Sequence, residues 1–496
     1  MGKIHDMLLS VDKKNIFDFT TRPSVGYPSG LYPLDYSNGY WVKVLKNVEP
    51  GKDRWLNVGT QGGTFYTVIG NSGVGKSALC IAMGSSMIRP YEYGEYYHTD
   101  AEGTSNTTRI QQLNRFTNEE MEEKYHFPNV IYVEDQFTLI YNLAQLKIKN
   151  KEFAYDTGYL DQNGDPIIIP QPTAVLIDSL PSMQTKDVED QATLGSQTYN
   201  MRLAIAYNTF YKRLRPIIRD ANITVFAINH IKEKPQMGFV KTQAKIQYLK
   251  PDESIPGGSG PIYYSQNLLR VIYRGKFVKD KHGFDGFLVE ALNIKSKTNK
   301  SGTSVHLVFH AQRGFEPILT LLRMAEDLDL VKGRNPYSYL SINPDYKFNT
   351  KDIDEILKDE TLAKMLVEAC QPYLMAMVGE LINFSDKDMN PAELMNRINK
   401  SYETKDMDKT DIVKDTIEST GIRTAAYKLD IVKKFLKKVE KKENLFKGVH
   451  RYHEKGMHKV KNPEIENYMQ CDEYSAAYKK YCLNEMRYGS PYIRLG

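Results

Sequence analysis

The sequence predicts an α/β fold in which a mostly parallel, twisted sheet is flanked by helices. The first observation is an apolar, β-branched stretch at residues 65–69 that leads into a glycine-rich loop and then into a helix start at residue 78. The second is a pair of continuous apolar runs, residues 174–177 and 223–228, of the kind found in strands buried on both faces. Such strands occur mainly where helices cover both sides of a sheet.

The length and composition indicate a globular protein of two or three domains, because 496 residues exceed one ordinary hydrophobic core. The formal net charge of +5 favours a polyanionic partner only weakly. The four cysteines share no metal-ligand spacing, which indicates free thiols in a reducing compartment. No signal peptide and no apolar run of roughly 18 residues is found, so we expect a soluble, cytoplasmic protein.

The glycine-rich loop carries the strongest functional signal. Residues 70–77 fit the pattern G-x-x-x-x-G-K-[ST] without a mismatch, between a predicted strand and a predicted helix. Loop N–H groups and the helix dipole attract phosphate, Lys76 can reach the β- and γ-phosphates, and the Ser77 hydroxyl can hold Mg²⁺. The other predicted nucleotide-binding residues are Gly70, Asn71, Ser72, Gly73, Val74 and Gly75. The loop therefore predicts a site for a nucleoside triphosphate and Mg²⁺.

Carboxylates follow two of the predicted strands. Asp178 ends the run 174–177, roughly 100 residues after the loop, which is the usual form of a Walker B aspartate that holds Mg²⁺ through water. Asp100 and Glu102 follow a candidate strand at 96–99, and ligands bind at the carboxyl ends of parallel strands. Glu102 there can orient or deprotonate an attacking water, although such a residue taken alone is more often a solvated loop acid.

A strand end and the loop after it suggest a second binding function. His230 ends the third buried strand, where a structural role and a γ-phosphate contact both remain open. Residues 232–258 lack helical or strand periodicity, and a segment of this length without structure points to function or disorder. It combines lysines with apolar and aromatic residues, namely Lys232, Lys234, Lys241, Lys245, Lys250, Met237, Phe239 and Tyr248. This mixture favours single-stranded nucleic acid over a merely flexible loop.

The remaining elements are predicted from periodicity and turn signals. They are a strand at 129–133, a hairpin within 151–172, a helix behind a polar loop at 185–219, strands at 268–273, 287–294 and 305–309, and a helix at 318–328. Three domains follow: an N-terminal docking segment (1–30), an ATPase core (31–330) and a mainly helical, basic C-terminal domain (331–496). The lysine-rich face near residues 433–442 is either a solvated helix face or an auxiliary nucleic-acid surface.

The order of these motifs resembles that of the RecA-type recombinases, and most closely the UvsX-like recombinases of T-even-like phages. The resemblance covers residues 25–330, beginning with Pro28-Ser29-Gly30-Leu31-Tyr32-Pro33-Leu34-Asp35 and continuing through the glycine-rich loop, 100–102, 177–180 and 229–230. It implies a RecA-like ATPase core that binds ATP and Mg²⁺, in the bacterial host cytoplasm if the protein is phage-encoded.

The resemblance also implies roles for individual residues. Glu102 takes the position of the catalytic glutamate, and His230 that of the residue that senses the γ-phosphate. Lys295 and Lys297 take the positions of paired lysines that reach the ATP of a neighbouring protomer. The resemblance places DNA-binding residues in two loops and the helix after the first, at Arg202, Lys232, Lys234, Met237, Phe239, Lys241, Lys245, Gly257 and Gly258.

The sequence departs from the family's pattern at the position that stacks on the adenine base. The family often places an aromatic ring under the base, whereas this chain has Arg109 there, so the stacking group is a guanidinium or lies elsewhere. The second DNA-binding loop is longer than usual, and residues 40–60 and 151–172 look inserted. The C-terminal third matches poorly and lacks the acidic tail of many relatives.

The expected function is homologous recombination driven by a DNA-dependent ATPase. The expected partners are single-stranded DNA, homologous duplex DNA and further copies of the chain in a helical filament, with single-strand-binding and loader proteins as candidate additions. Two alternatives stay open at this point. One is a hexameric replicative DNA helicase on the same core, and the other is a nucleotide-gated protein that coats single-stranded DNA.

Overall fold

The computed structural model describes residues 23–48, 52–186, 197–233, 246–277, 286–334 and 337–379. The strands are β1 (Gly26–Tyr27), β2 (Tyr40–Lys43), β3 (Arg54–Asn57), β4 (Thr60–Gln61), β5 (Phe65–Gly70), β6 (Glu95–Asp100), β7 (Tyr125–His126), β8 (Ala154–Leu160), β9 (Pro166–Pro170), β10 (Thr173–Asp178), β11 (Ile223–His230), β12 (Lys232–Glu233), β13 (Glu253–Ser254), β14 (Asn267–Lys276), β15 (Gly286–Ser296), β16 (Ser304–His310), β17 (Gly314–Phe315), β18 (Val331–Arg334), β19 (Tyr337–Leu340) and β20 (Asn343–Asn349).

The helices are α1 (Tyr32–Ser37), α2 (Lys76–Ile88), α3 (Thr107–Asn114), α4 (Asn118–Lys124), α5 (Val133–Lys149), α6 (Gln197–Asp220), α7 (Gly260–Tyr264), α8 (Pro317–Asp327), α9 (Ile353–Lys358) and α10 (Glu360–Val378). Most of the predicted docking segment, residues 1–22, and the predicted C-terminal helices beyond residue 379 lie outside the described residues. None of the described helices is long and apolar enough to cross a membrane.

A nine-stranded sheet organises the described part of the chain, in the order β17-β16-β15-β14-β5-β11-β10-β6-β7. The six strands from β14 to β7 are parallel to their neighbours, and β15, β16 and β17 continue the sheet in antiparallel pairing. The α/β class and the mostly parallel sheet are therefore confirmed.

Alternate residues of the central strands enter two different hydrophobic cores. On β5, Tyr66 and Val68 pack on the face that α2 covers, whereas Phe65 packs on the face covered by α5 and α6. On β10, Leu176 and Val175 divide in the same way. Because side chains alternate across a pleated strand, only a continuous apolar run can fill both cores. This explains why these strands are uniformly hydrophobic.

The parallel pairing brings the carboxyl ends of four strands to one edge. Asp178 at the end of β10 pairs with Asp100 at the end of β6, and His230 at the end of β11 pairs with Gly70 at the end of β5. Neighbouring strands lie about 4.8 Å apart, so residues far apart in sequence meet there. This edge is where the candidate site forms.

Most predicted strands of the sheet are confirmed, but the strand predicted at 129–133 is wrong. Only Tyr132 makes a bridge there, to Gln184, and Val133 begins α5. The buried residues of α5 are spaced as on one face of a helix: Val133, Gln136, Ile140, Ala144 and Lys147. Burial of this face favours a helix here over the strand that the short apolar run predicts. The strand that pairs with β6 at this end of the sheet is instead β7.

The two stretches that look inserted form hairpins that contact each other. The hairpin predicted within 151–172 is confirmed as β8–β9, and β2 pairs with β3 in the other stretch. The Trp55 ring stacks on Tyr159 at 4.1 Å between centroids, and its Nε1 donates to the Leu160 carbonyl at 2.9 Å. The Leu45 N–H donates to the Gln162 carbonyl at 2.8 Å. Each hairpin thus buries an aromatic face against the other.

The helix predicted near 318–328 is confirmed as α8, and the chain after it forms a small three-stranded sheet (β18–β19–β20) followed by α9 and α10. Leu322 of α8 shares one hydrophobic core with Leu340 of β19 and Leu366 of α10. The domain boundaries at 30/31 and 330/331 stay predictions, since most residues of both flanking segments lie outside the described part.

His98 on β6 is a buried histidine whose protonation should affect the stability of the fold. It is 2% exposed, its Nδ1 lies 3.1 Å from the Tyr125 hydroxyl, and its Nε2 has no hydrogen-bond partner among the described residues. Burial lowers the pKa of His98 to about 4. The unfolded chain, with a pKa near 6.5, therefore binds a proton that the folded protein excludes.

Stability should consequently fall as the pH falls from 6.5 towards 4. Between pH 7.5 and pH 5, we expect the wild-type free energy of unfolding to drop by about 2 kcal/mol more than that of His98→Phe, which cannot take up the proton. Urea denaturation of both proteins at the two pH values measures this difference. Equal losses in the two proteins would contradict the buried neutral histidine.

Candidate active site

The glycine-rich loop runs from the end of β5 to the start of α2 in a conformation that needs its glycines. Gly73 and Gly75 adopt φ values of +74° and +90°, in the left-handed region that favours glycine. At Gly70 the reason is space, because an added Cβ would lie 2.4 Å from the carbonyl oxygen of Val271 on β14. The loop therefore lies close against the sheet, with the N-terminal end of α2 beside it.

Lys76 occupies the first turn of α2 and folds back over the loop. Its Nζ donates to the Gly70 carbonyl at 3.1 Å and to the Asn71 carbonyl at 2.7 Å. Burial lowers the pKa of Lys76, whereas the negative charges of Asp178 and Glu102 raise it. A phosphate oxygen at this position would meet a largely desolvated ammonium group, where charge interactions are strong.

The next residue forms a pair suited to Mg²⁺. The Ser77 hydroxyl donates to Asp178 Oδ2 at 2.6 Å, so one hydroxyl and one carboxylate already lie together. Burial raises the pKa of Asp178, the Ser77 bond lowers it, and the charges of Glu102 and Asp100 raise it again. A divalent cation would relieve that repulsion, and the oxygen donors match the preference of Mg²⁺.

No cluster of three or more His, Cys, Asp or Glu side chains suited to a metal occurs in the described ranges. These described residues therefore offer Mg²⁺ only a few ligands, and phosphate and water oxygens would complete its shell. This fits Mg²⁺, which usually keeps several waters and binds through one or two protein groups plus substrate phosphates. Ser77 and Asp178, the two predicted metal ligands, lie in direct hydrogen-bond contact, and their role in holding Mg²⁺ stays a prediction.

Glu102 lies at the same edge, in the loop after β6, with its side chain 33% exposed. Three donors or candidate donors lie near its Oε1: the Ser179 hydroxyl at 2.6 Å, the Ser182 hydroxyl at 3.4 Å and His230 Nε2 at 3.4 Å. The Ser179 bond lowers the pKa of Glu102, burial opposes it, and the bond and charge of His230 lower it further. The group is therefore an ionised carboxylate at neutral pH.

Asp100, the other acid in this loop, has a structural role. Its carboxylate accepts the backbone N–H groups of Glu102, Gly103 and Ser105 at 3.1, 2.9 and 2.7 Å. Burial raises its pKa, but the hydrogen bonds to Ser105 and the other N–H groups leave the pKa below its usual value. Asp100 shapes the loop that presents Glu102.

His230 connects the site to the base of the predicted DNA-binding loop. The neighbouring Asn229 donates from Nδ2 to the Pro256 carbonyl at 2.9 Å. Just beyond His230, Lys232 of β12 pairs with Ser254 of β13 and closes the stem of this loop. His230 thus lies next to Glu102, and its chain neighbours contact residues at both ends of the segment 232–258.

Lys295 and Lys297 lie at the end of β15 and just after it, apart from the glycine-rich loop. Lys295 Nζ donates to the carbonyls of Ile262 and Tyr263 at 2.6 and 2.9 Å. Burial, then the charges of Arg215 and Lys295, lower the pKa of Lys297 to about 8. Among the described residues, no hydrogen bond or ion pair joins either lysine to the glycine-rich loop or to Glu102.

Arg109 lies on α3, which contacts the turn between β16 and β17. Its guanidinium donates to the Gln312 carbonyl at 2.9 Å. The end of this turn is close to the phosphate-binding loop, since a Cβ added to Gly75 would lie 3.6 Å from the Phe315 ring. Arg109 is thus in the wall beside the loop, with its guanidinium already engaged by a backbone carbonyl.

The predicted DNA-binding residues are only partly described. Arg202 on α6 and Lys232 on β12 are exposed. Gly257 and Gly258 adopt φ values of +89° and +74° and pack against α6, where a Cβ at Gly258 would lie 2.9 Å from the Ala204 Cβ. Those outside the described residues are Lys234, Met237, Phe239, Lys241 and Lys245.

Sequence reasoning missed three groups of the site. Ser179 and Ser182 both lie next to Glu102, and Arg215 lies in the helix predicted at 185–219; the sequence analysis gives none of the three a role in the site. Ser179 stood directly after the Walker B aspartate, but nothing in the one-dimensional pattern says which side chain it meets. Arg215 approaches the two lysines through tertiary packing alone.

Comparisons with known proteins find similarity among solved structures. No family model matches the chain, and no curated protein matches it. Among solved structures, the chain is similar to a crystal structure of the RadB recombinase, with 19% identity and a TM-score of 0.33, over 52% of this chain and 92% of that one. A likeness this low carries no functional conclusion, so function rests on the residues themselves.

Lys76→Ala tests the phosphate site directly. We expect at least roughly 100-fold weaker binding of ATP with Mg²⁺, because a charge-assisted contact in a desolvated loop is lost. Titration with a fluorescent ATP analogue measures the dissociation constant. Lys149→Ala, on the exposed end of α5, is the matched control and should bind normally. Normal binding by Lys76→Ala would remove the phosphate-site assignment.

Proposed function

We propose that the protein is an ATP-dependent recombinase of the RecA type, which assembles as a helical filament on single-stranded DNA and catalyses homologous pairing and strand exchange. One observation carries this proposal. His230 lies between Glu102 of the candidate nucleotide site and the stem of the long basic segment 232–258. A hydrolytic site and a candidate DNA-binding segment thus share one strand end.

The arrangement supports ATP hydrolysis. Lys76 would bind the phosphates, and Ser77 with Asp178 would hold Mg²⁺, which supplies positive charge to offset that of the phosphate oxygens when bound. Glu102 orients the attacking water and accepts its proton, since its ionised carboxylate lies at the same sheet edge as the loop. Hydrolysis here depends on positioning and charge rather than on a covalent protein intermediate.

DNA binding and nucleotide state are coupled through β11. His230 contacts Glu102 on one side, and Asn229 holds the Pro256 carbonyl of the loop stem on the other. Any conformation that DNA stabilises in the loop changes the environment of the nucleotide. By thermodynamic reciprocity, ATP raises DNA affinity to the same extent that DNA raises ATP affinity, and hydrolysis releases DNA.

Lys295 and Lys297 act on the nucleotide of an adjacent protomer. Arg215 and the two lysines form a cationic cluster, and the pKa values of both lysines are lowered by burial and by the neighbouring positive charges. Such repulsion is relieved by an anion, and no carboxylate of the described residues pairs with these three cations. The phosphates of a neighbouring nucleotide supply that anion, which links ATP binding to polymerisation.

One specific observation favours a second candidate function, a ring-forming DNA helicase. Arg215 lies beside the lysines, and a guanidinium in that place can serve as the arginine finger of a hexameric ring. A protein that coats single-stranded DNA without exchanging it is the third reading. Glu102 disfavours it, because a coating protein has no need of a water-activating carboxylate.

Negative-stain electron microscopy with single-stranded DNA decides between these assemblies. We expect helical filaments with a non-hydrolysable ATP analogue and none without nucleotide. Closed six-membered rings would overturn the filament while leaving the ATPase in place. If filaments form but do not exchange strands between a labelled single strand and a homologous duplex, the result would contradict the recombinase. It would support the protein that only coats single-stranded DNA.

A mixing experiment tests the trans role of the lysines. Glu102→Gln should bind ATP and DNA but hydrolyse little, and Lys295→Ala should hydrolyse little when assembled. In an equal mixture of the two, roughly a quarter of the interfaces combine an intact Glu102 with an intact Lys295 from the neighbour. DNA-stimulated phosphate release should therefore recover to about that fraction of wild type. No recovery would contradict action across the interface.

A further inference from the structure

The Walker B aspartate is followed by a serine that contacts Glu102 more closely than any other described side chain does. Ser179 is fully buried, and its hydroxyl donates to Glu102 Oε1 at 2.6 Å. Ser182 and His230 Nε2 lie near the same oxygen, each at 3.4 Å. No hydrogen bond to Oε2 is found within the described residues. The two carboxylate oxygens therefore have different surroundings.

We infer that Ser179 is a positioning residue that fixes the Glu102 carboxylate through Oε1 and leaves Oε2 as the oxygen that accepts the proton of the attacking water. This inference rests on the proposed function, because it assumes that Glu102 is the base. It adds how the base is oriented and which of its oxygens reacts.

The need for such a residue follows from the position of Glu102. The carboxylate is on a loop with its side chain 33% exposed, so its rotamers are not fixed by packing. A short hydrogen bond from a hydroxyl to a carboxylate is among the stronger ones in proteins. One such bond from a buried partner can select a single orientation of a half-solvated glutamate.

Ser179 is itself held rigidly. It directly follows β10, and the turn Leu180–Ser182 after it is closed by the Ser182 N–H donating to the Ser179 carbonyl at 3.1 Å. The Tyr207 hydroxyl on α6 donates to the Leu180 carbonyl and holds the turn against the core that α5 and α6 cover. The hydroxyl of Ser179 is thus presented by a short turn that is anchored to both β10 and α6.

Ser179 and His230 then have separate effects on the Glu102 carboxylate. When His230 moves, the 2.6 Å bond from Ser179 still holds Oε1, so the carboxylate keeps its orientation and only its electrostatic environment changes. Ser179 sets the basal geometry, and His230 carries the signal from the loop stem. Loss of Ser179 should therefore lower the rate without altering the response to DNA.

Steady-state ATPase assays of the full chain test this division. Ser179→Ala is expected to lower kcat roughly 10-fold with KM for ATP unchanged, as for the loss of one hydrogen bond to a charged group that orients the base. The ratio of DNA-stimulated to basal rate should stay at the wild-type value, whereas His230→Ala should change it. A changed ratio in Ser179→Ala, or a kcat equal to wild type, would overturn the positioning role.

Two further variants separate this effect from damage to the fold. Ser85→Ala removes another buried serine hydroxyl, on α2, which has no hydrogen-bond partner in the described part of the chain, and it should behave as wild type. Ser179→Cys fills the same space with a weak donor, and its kcat should fall between wild type and Ser179→Ala. A fully active Ser179→Cys would show that a side chain of similar size is enough for activity. It would contradict a role for the hydrogen bond to Glu102.

A carbon-13 NMR titration reports the bond without any turnover. In protein labelled at the glutamate δ-carboxyl, the resonance missing from Glu102→Gln identifies Glu102. Its pKa should rise in Ser179→Ala, because the donor that favours the charged form is gone. An unchanged pKa would refute the bond. If Glu102→Gln hydrolyses ATP normally, the proposed base fails; if it is inactive while Ser179→Ala is normal, only the positioning role fails.

Discussion

Parallel pairing of four neighbouring strands is the constraint on which the rest of the site depends. β5, β11, β10 and β6 lie side by side, and their register sets His230 opposite Gly70 and Asp178 opposite Asp100. These residues come from distant parts of the chain, yet they share one sheet edge because parallel strands all end on the same side. A slip by one residue would send the following side chains to the opposite face of the sheet. The two hydrophobic cores resist such a slip, since each needs its own set of alternating residues.

The parallel pairing also brings several charged side chains together in a partly buried region, where a charge is energetically unfavourable. Asp100, Glu102 and Asp178 lie close enough for the two other acids to raise the pKa of Asp178, and Lys76 is the buried cation among them. Local hydrogen bonds lower part of the cost: Asp100 is held by backbone N–H groups and Glu102 by serine hydroxyls. What remains is a largely desolvated ammonium group beside a hydroxyl and carboxylate pair. In the proposed function, a bound nucleotide and its Mg²⁺ would complete the charge balance.

The candidate site draws on the sheet and on the turns and loops that follow its strands. The sheet holds Asp178 and His230, and Ser179 directly follows β10, whereas Glu102 lies in the loop after β6 and the predicted DNA-binding segment 232–258 follows β11. A buried pair of hydrogen bonds from Arg270 to Glu253 anchors the far end of that segment on β14, with N–O distances of 2.7 and 2.6 Å. This anchor and the hydrogen bond from Asn229 to the Pro256 carbonyl tie the described part of the segment to β14 and β11. The proposed coupling of DNA binding to hydrolysis would act through these contacts. The hairpins β2–β3 and β8–β9, in contrast, contact each other through Trp55 and Tyr159.

The sequence by itself determined the buried central strands and the glycine-rich loop between β5 and α2. Each of these is encoded locally: a doubly buried strand must be continuously apolar, and a loop that wraps a phosphate needs glycine where φ is positive. The strand expected at 129–133 failed because a short apolar run does not distinguish a strand from the approach to a helix, and tertiary burial of α5 decided it. Only the tertiary structure decided the contact of Ser179 with Glu102, the approach of Arg215 to Lys297, and the docking of the two hairpins. These contacts depend on which side chains face each other across strands and helices that are far apart in the chain. A local sequence pattern does not contain that information.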